Sequence, residues 1–308
     1  MKPQRVGVLL NAFSGQSGGE GRDKLRATLE SAFEKHALTA SLEFLTGEDL
    51  RAGAVRALQR ATAGELDAII VGGGDGTIST VASVLAGSGV PLGIIPLGTL
   101  NHFAKDLKIP LAIDDAVALV AAGGSRPVDV GEVNGRIFIN NSSIGIYPYL
   151  VLDRERRMGR EGFPKWLAMI LAGLRALRYF PLRRLSIRTS GWEEAYRSPC
   201  VLVGNNVYQI SGPSLGTRDR LDEGQLSLYV ARQQGRLALL WLAFRSLLGL
   251  LDGQRAMRTF TLPAVEISSR HRRLLVAFDG EIETVRSPLH YRIRREALRV
   301  FAPVMASA

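Results

Sequence analysis

Apolar and polar positions follow one rhythm up to about residue 124 of this 308-residue chain and another beyond it. In the first part, apolar runs of strand length at 5–10, 38–45, 66–71 and 92–95 are separated by stretches with helical spacing at 20–36 and 50–61. The run 66–71 has the Ile/Val content of a buried strand and enters Gly72-Gly73-Gly74-Asp75-Gly76-Thr77. Beyond Thr77, Ile78, Val81, Ala82 and Leu85 fall at i, i+3, i+4 and i+7, which predicts a helix with Thr77 as its N-cap and Gly87 as its stop. A short helix is predicted after Asn101. Strands alternating with helices predict a mostly parallel sheet, with loops at Asn11, Gly72 and Pro96 on the carboxyl ends of its strands, where open α/β sheets bind ligands.

Past Gly123 the rhythm becomes that of short strands. Residues 126–133 and 136–141 flank Asn134-Gly135, a strong hairpin turn, and further strands are predicted at 184–189, 200–205, 225–230, 264–268, 274–279 and 290–293. This half reads as antiparallel β with inserted helices. Two segments, 165–180 and 236–251, are unusually apolar, yet each is shorter than the ~20 residues a membrane span needs and carries internal arginines. They read as core helices, or as helices laying Trp166 or Trp241 on a membrane interface while arginines, Arg175 and Arg178 in the first, reach headgroups. No internal repeat stands out.

Charge sharpens the division. Residues 1–150 carry 13 Lys+Arg against 15 Asp+Glu, whereas residues 151–308 carry 26 against 14, so the second half holds all of the net charge of +10. A basic, arginine-rich half suits phospholipid headgroups or another anionic partner. Nucleic acid is disfavoured, because no zinc-finger spacing or aromatic RNA-binding motif appears. The single cysteine, Cys200, excludes an internal disulfide, and a first strand beginning by Arg5 leaves no room for a signal peptide, so a reducing cytosol is expected.

A glycine loop between strand and helix aims backbone N–H groups and the positive end of a helix dipole at one point, where a phosphate can sit. A tight strand-to-helix turn would use the same residues. Asp75 is out of place there unless it binds a metal, takes a proton or bonds a sugar hydroxyl. Neither a P-loop nor a dinucleotide fingerprint is present, the four histidines have no zinc spacing, and no serine-hydrolase elbow appears.

Taken in order, Asn11-x-x-Ser14-Gly15, Gly73-Gly74-Asp75-Gly76-Thr77, Pro96-x-Gly98-Thr99-x-Asn101, Leu221-Asp222-Glu223-Gly224 and Phe278-Asp279-Gly280-Glu281 resemble the diacylglycerol kinase catalytic-domain family, in particular its soluble bacterial lipid kinases. These are related to sphingosine and ceramide kinases within the superfamily that also holds NAD kinases. The resemblance covers nearly the whole chain. It implies an α/β nucleotide-binding domain over 1–124, rejoined by 288–308, and a β-sandwich-like lipid-binding domain over 125–287, with the active site in the cleft between them. The implied reaction is an ATP- and Mg²⁺-dependent transfer of the γ-phosphoryl group to a lipid hydroxyl.

Carried over by residue, Gly73, Gly74, Gly76 and Thr77 would hold phosphates, with Asp75 near the metal and the reacting centre. Asn11, Ser14, Gly15, Gly98, Thr99 and Asn101 would line the nucleotide site. Asp279 would be the base for the lipid hydroxyl, with Glu281 close by. Asp222, Glu223 and Asp129 would serve a second metal site and its water network. Each has a plainer reading: Asp279-Gly280 as a hairpin turn, 221–224 as a solvated turn, Asp129 as a strand-end residue. Ala12 stands where the family usually has proline, and His102 where many relatives have aspartate. The expectation is thus a cytoplasmic enzyme, peripherally and transiently bound to an anionic membrane, with no nucleic-acid partner and with a homodimer as one open oligomeric state. Its rivals are an NAD kinase and a non-catalytic lipid- or nucleotide-binding regulator; the presence of both Asp75 and Asp279 argues against the latter.

Overall fold

The computed structural model describes residues 2–12, 19–145, 148, 183–209, 216–231 and 257–303. The chain forms two compact units: one of Met1–Val130, Arg220–Gly224 and Arg294–Ala308, the other of Gly131–Asp219 and Gln225–Ile293.

In the first unit, strands β1 (Arg5–Asn11), β2 (Thr39–Leu45), β3 (Ala68–Gly73) and β4 (Leu92–Pro96) pair in parallel in the order β2-β1-β3-β4. Each is followed by one helix or two: α1 (Gly19–Lys35), α2 (Gly47–Thr62), α3 (Asp75–Leu85), then α4 (His102–Asp106) and α5 (Ile113–Ala122). Leu29 and Phe33 of α1 and Val117 and Val120 of α5 share one core with Val6, Val8, Leu10, Ala68 and Ile70 of the sheet. All six residues of β3 are buried, the pattern of a central strand covered on both faces. α5 was not anticipated, because Ala112 at its N-cap position is not a capping residue, although Asp114 and Asp115 place two acids in its first turn.

Strand β5 (Ser125–Val133) leads into the second unit, which is antiparallel. Its six-stranded sheet runs β12 (Met257–Leu262), β11 (Leu226–Ala231), β10 (Cys200–Asn205), β7 (Asn141–Gly145), β14 (Arg273–Phe278), β15 (Glu281–Arg286). Facing it are β8 (Arg183–Arg188), β9 (Glu193–Ser198), β13 (Ala264–Ser269) and the first residues of β16 (Leu289–Phe301); β6 (Arg136–Phe138) pairs with β5. Leu185, Ile187, Val265, Ile267 and Tyr291 from one layer and Ile144, Val203, Leu228, Val276 and Phe278 from the other fill a common apolar core. The first unit is thus built on a parallel α/β sheet and the second is a β-sandwich, as the pattern of the sequence predicts. β16 contributes residues 289–293 to this unit and 294–301 to the first, where Val300 pairs in parallel with Leu92. Among the described residues no helix is long and apolar enough to cross a membrane. The predicted segments 165–180 and 236–251, with Trp166, Arg175, Arg178 and Trp241, lie outside the described residues.

Candidate nucleotide and hydroxyl sites

Because β1, β3 and β4 are parallel neighbours, their carboxyl ends lie side by side: Leu10 is in register with Gly72, and Gly73 with Pro96. Asn11, the glycine loop and the 96–101 loop therefore gather at one edge of the first unit. Asn11 Nδ2 donates to Thr77 Oγ1 at 3.1 Å, tying the end of β1 to the helix that follows β3. Ser14 and Gly15 lie outside the described residues.

α3 starts three residues earlier than its hydrophobic spacing suggests. Gly74, in extended backbone, occupies the N-cap position that Thr77 was expected to take, and Ile78 N–H bonds Gly74 O at 3.0 Å. Thr77 is instead a buried residue of the first turn, packed where a Cβ on Gly73 would stand within 2.6 Å of its side chain. Gly98 is equally confined, since its Cβ would lie 2.5 Å from the Gly74 Cα and 2.8 Å from Asn101 Oδ1. Gly76 is different. A Cβ there meets nothing within 4 Å, and its φ is not positive. Packing thus accounts for Gly73 and Gly98 and leaves Gly76 unexplained, although alanine is the better residue in a helix by about 1 kcal/mol.

Asn101 closes the second loop on itself: its Oδ1 accepts from Gly98 N–H at 3.0 Å and its Nδ2 donates to Gly98 O at 2.8 Å. With φ +52 it adopts a left-handed conformation that Asn tolerates well. Thr99 is exposed on this loop. Asp75 reaches across from α3 to the start of α4, where its two oxygens accept N–H bonds from His102 and Phe103, each at 3.1 Å. The carboxylate caps the short helix, and the His102 side chain is exposed. Two of about four lone-pair directions on Asp75 are spent in this way, so it retains acceptor capacity towards the loop.

In the second unit, Asp279 sits at φ +47 in the β14–β15 turn. Its Oδ2 accepts from Ile139 N–H at 2.9 Å and its Oδ1 from Asn140 and Asn141 N–H at 2.8 and 3.0 Å. The turn residue is therefore also the anchor of the β6–β7 connection. Beyond that connection lies a group that no local sequence pattern announced. Arg218, 1% exposed, donates through Nη1 to Ile139 O at 2.7 Å and Asn205 O at 3.0 Å, and through Nη2 to Asn140 Oδ1 at 2.6 Å. One peptide group, joining Ile139 to Asn140, thus has a guanidinium on its carbonyl and the Asp279 carboxylate on its N–H. Glu281, the next charged residue, pairs with Arg136 at 3.0 Å; desolvation above all raises its carboxyl above the usual range, with Glu283 and Asp279 adding repulsion against the pull of Arg136.

Asp129, Asp222 and Glu223, expected at a second metal site, all belong to the first unit. Asp129, fully buried in the first unit, accepts Gly224 N–H at 2.6 Å on Oδ2 and Glu296 N–H at 2.8 Å on Oδ1, which clamps the returning segment 220–224 and β16 onto β5. Asp222 is held by Arg220, Nε to Oδ1 at 2.9 Å and Nη2 to Oδ2 at 3.2 Å, and this partner lowers its carboxyl below the usual range. Glu223 is exposed. Among the described residues no three His, Cys, Asp or Glu side chains gather as metal ligands.

Residues 5–133 match the diacylglycerol kinase catalytic domain, and residues 155–302 match the YegS C-terminal NAD kinase β-sandwich-like domain. A Yersinia enterocolitica protein named "Probable lipid kinase YegS-like" is 30% identical over 235 residues, which cover 74% of this chain and 76% of that one. The chain belongs to the diacylglycerol kinase family of lipid kinases. A Bacillus subtilis protein named diacylglycerol kinase is 39% identical over 154 residues, 49% of this chain and 48% of its own. A crystal structure titled as a diacylglycerol kinase from Bacillus anthracis shares the family fold, with a TM-score of 0.67 at 23% identity over 99% of this chain and 98% of that one.

Proposed function

We propose that this chain catalyses ATP-dependent phosphorylation of a lipid hydroxyl. The observation that carries the reading is the open first turn of α3. Gly74 and Gly76 leave its backbone N–H groups without a covering Cβ, at the edge where three parallel strands end, and these donors with the helix dipole would favour a phosphate there. Gly73, Thr77, Gly98 and Asn101 shape this loop by packing and by the Gly98–Asn101 bonds, while Asn11 and Thr99 border it.

Asp279 would accept the proton of the lipid hydroxyl, whose oxygen then bonds to the γ-phosphorus as the bond to the β-phosphate oxygen breaks and ADP leaves. Three backbone N–H groups fix the Asp279 carboxylate in place to receive the hydroxyl proton. Phosphoryl transfer asks a protein mainly for such positioning and for charge neutralisation. Mg²⁺ fits the remaining acceptor capacity of Asp75, since this ion keeps waters and phosphates and takes only one or two carboxylates; when bound it would neutralise phosphate charge. The acceptor is a membrane lipid in this reading, diacylglycerol, a sphingoid or ceramide lipid or a relative of these, met by a cytoplasmic protein on an anionic membrane surface.

Asp279→Asn tests the base directly. The substitution keeps the side chain's shape but loses proton-accepting ability. Single-turnover transfer should fall by at least 100-fold while ATP binding, measured by titration, changes less than threefold. A variant that turns over near the parent rate contradicts the assignment.

A further inference from the structure

Arginines directly opposite one another on adjacent strands repel, and a fold selected only for stability avoids them. The second unit contains two such pairs. Arg184 on β8 is in register with Arg197 on β9, and Arg273 on β14 with Arg286 on β15. They belong to one end of the unit: Ser269, which pairs with Leu185 beside Arg184, is followed by Arg270-His271-Arg272 and then by Arg273. Ser287 N–H bonds Arg272 O at 3.1 Å and Ser269 N–H bonds Ser287 Oγ at 3.0 Å, which draws the β15 end to the same loop.

All six arginines and His271 are exposed. The stretches 184–187, 195–199, 267–275 and 284–289 contain no Asp or Glu, and no ion pair among the described residues involves any of the six. Elsewhere in this unit arginines do find acids, as in Arg136 with Glu281, Arg188 with Glu266 and Arg292 with Glu132. The absence is local to this end.

We propose that this end of the β-sandwich is the docking face for an anionic phospholipid surface. Guanidinium groups match phosphate oxygens in fork geometry, which lysines do not. The uncompensated repulsion of the two pairs is relieved when phosphates come between them. A lipid kinase must find its substrate in a bilayer, and in that respect the inference rests on the reading above. β14 carries Arg273 at one end and leads into Asp279 at the other, about 20 Å away for six strand residues, so the face tethers the protein without forming part of the chemistry.

The test separates tethering from folding by giving them opposite signs. Arg197→Glu and Arg273→Glu each place an acid opposite an arginine, so each variant should melt at or above the parent temperature. The double variant should bind phosphatidylglycerol-containing vesicles at least 30-fold more weakly than the parent at about 0.1 M salt, since each charge near such a surface counts roughly fivefold. Binding to pure phosphatidylcholine vesicles should be weak and equal for both proteins. Transfer to lipid dispersed in non-ionic detergent micelles should be unchanged, and its absence in the parent would count against the kinase reading alone. Vesicle binding of the double variant within twofold of the parent overturns the docking face, as does a parent that binds nucleic acid but shows no preference for anionic vesicles.

Discussion

Gly76 and Gly98 look alike in the sequence, and the structure gives them opposite jobs. Gly98→Ala drives a Cβ into the Gly74 backbone, so it should destabilise by about 1–3 kcal/mol, the usual cost of overpacking, and disturb the loop as a whole. Gly76→Ala meets no atom within 4 Å and should raise stability by roughly 0.5–1 kcal/mol while weakening ATP, because the new methyl stands where a phosphate would. Thermal melts and nucleotide titrations on both variants read the two effects separately. Arg218 makes a second residue-scale case. Arg218→Met takes a charged donor from Asn205 O and from Ile139 O, which keeps its bond from Asn205 Nδ2, at about 1.5–3 kcal/mol each, and removes the charge behind the peptide that holds Asp279. Turnover per folded molecule should drop at least tenfold with the KM for ATP within twofold, and Arg218→Lys should recover part of it. Undiminished turnover would confine Arg218 to a structural role. The loop glycines were legible because chemistry confines them to consecutive positions. Arg218 was not, because its partners lie 13 to 79 positions away and a lone arginine in a polar stretch carries no local signal.

At the scale of elements, strands with one or two buried faces announced themselves and exposed ones did not. β3 and β4, buried throughout, were plain from their apolar runs. β9 (EEAYRS) and β15 (EIETVR), each at the end of its sheet, show water most of their length and have too few apolar positions to set a period. β12 was missed for the same reason, and β16 was recognised only over 290–293 because charged residues interrupt the rest. The displaced start of α3 has a related cause: an acid in the first turn and a glycine cap made Thr77 look like the boundary. One clamp between elements predicts a pH effect. Asp67, ahead of β3, accepts N–H bonds from Gln4 and Arg5 at 2.9 and 2.8 Å, and these backbone bonds, with Arg5's side chain, hold its carboxyl below the usual range. A lowered folded-state value gives stability that is complete above the ordinary carboxylate range and disappears as pH falls through the folded value. Asp67→Asn should therefore flatten the acid limb of stability below about pH 4 and leave its slope near neutrality unchanged, as urea melts across pH would register.

For the whole molecule, the two rhythms of the sequence correspond to the two architectures of the fold, a parallel α/β sheet and a β-sandwich. What the rhythms could not convey is the return of the chain. Residues 220–224 and 294–301 rejoin the first unit through backbone bonds to Asp129, contacts made across 95 and 167 positions with no periodic signal of their own. The same clamp gives Asp129 a structural task beside the metal and water role that the family resemblance implies. Membership of the lipid kinase family rests on similarity along most of the chain, and the central claim, transfer of phosphate to a lipid, rests on the loop and on Asp279. The most direct measurement is label transfer from γ-³²P ATP with Mg²⁺ to a panel of lipids in mixed micelles, with NAD as a soluble acceptor. The account predicts label in a lipid, lost on addition of a chelator and in Asp279→Asn. Label in NAD alone, or none in any acceptor from folded protein that binds ATP, would contradict it.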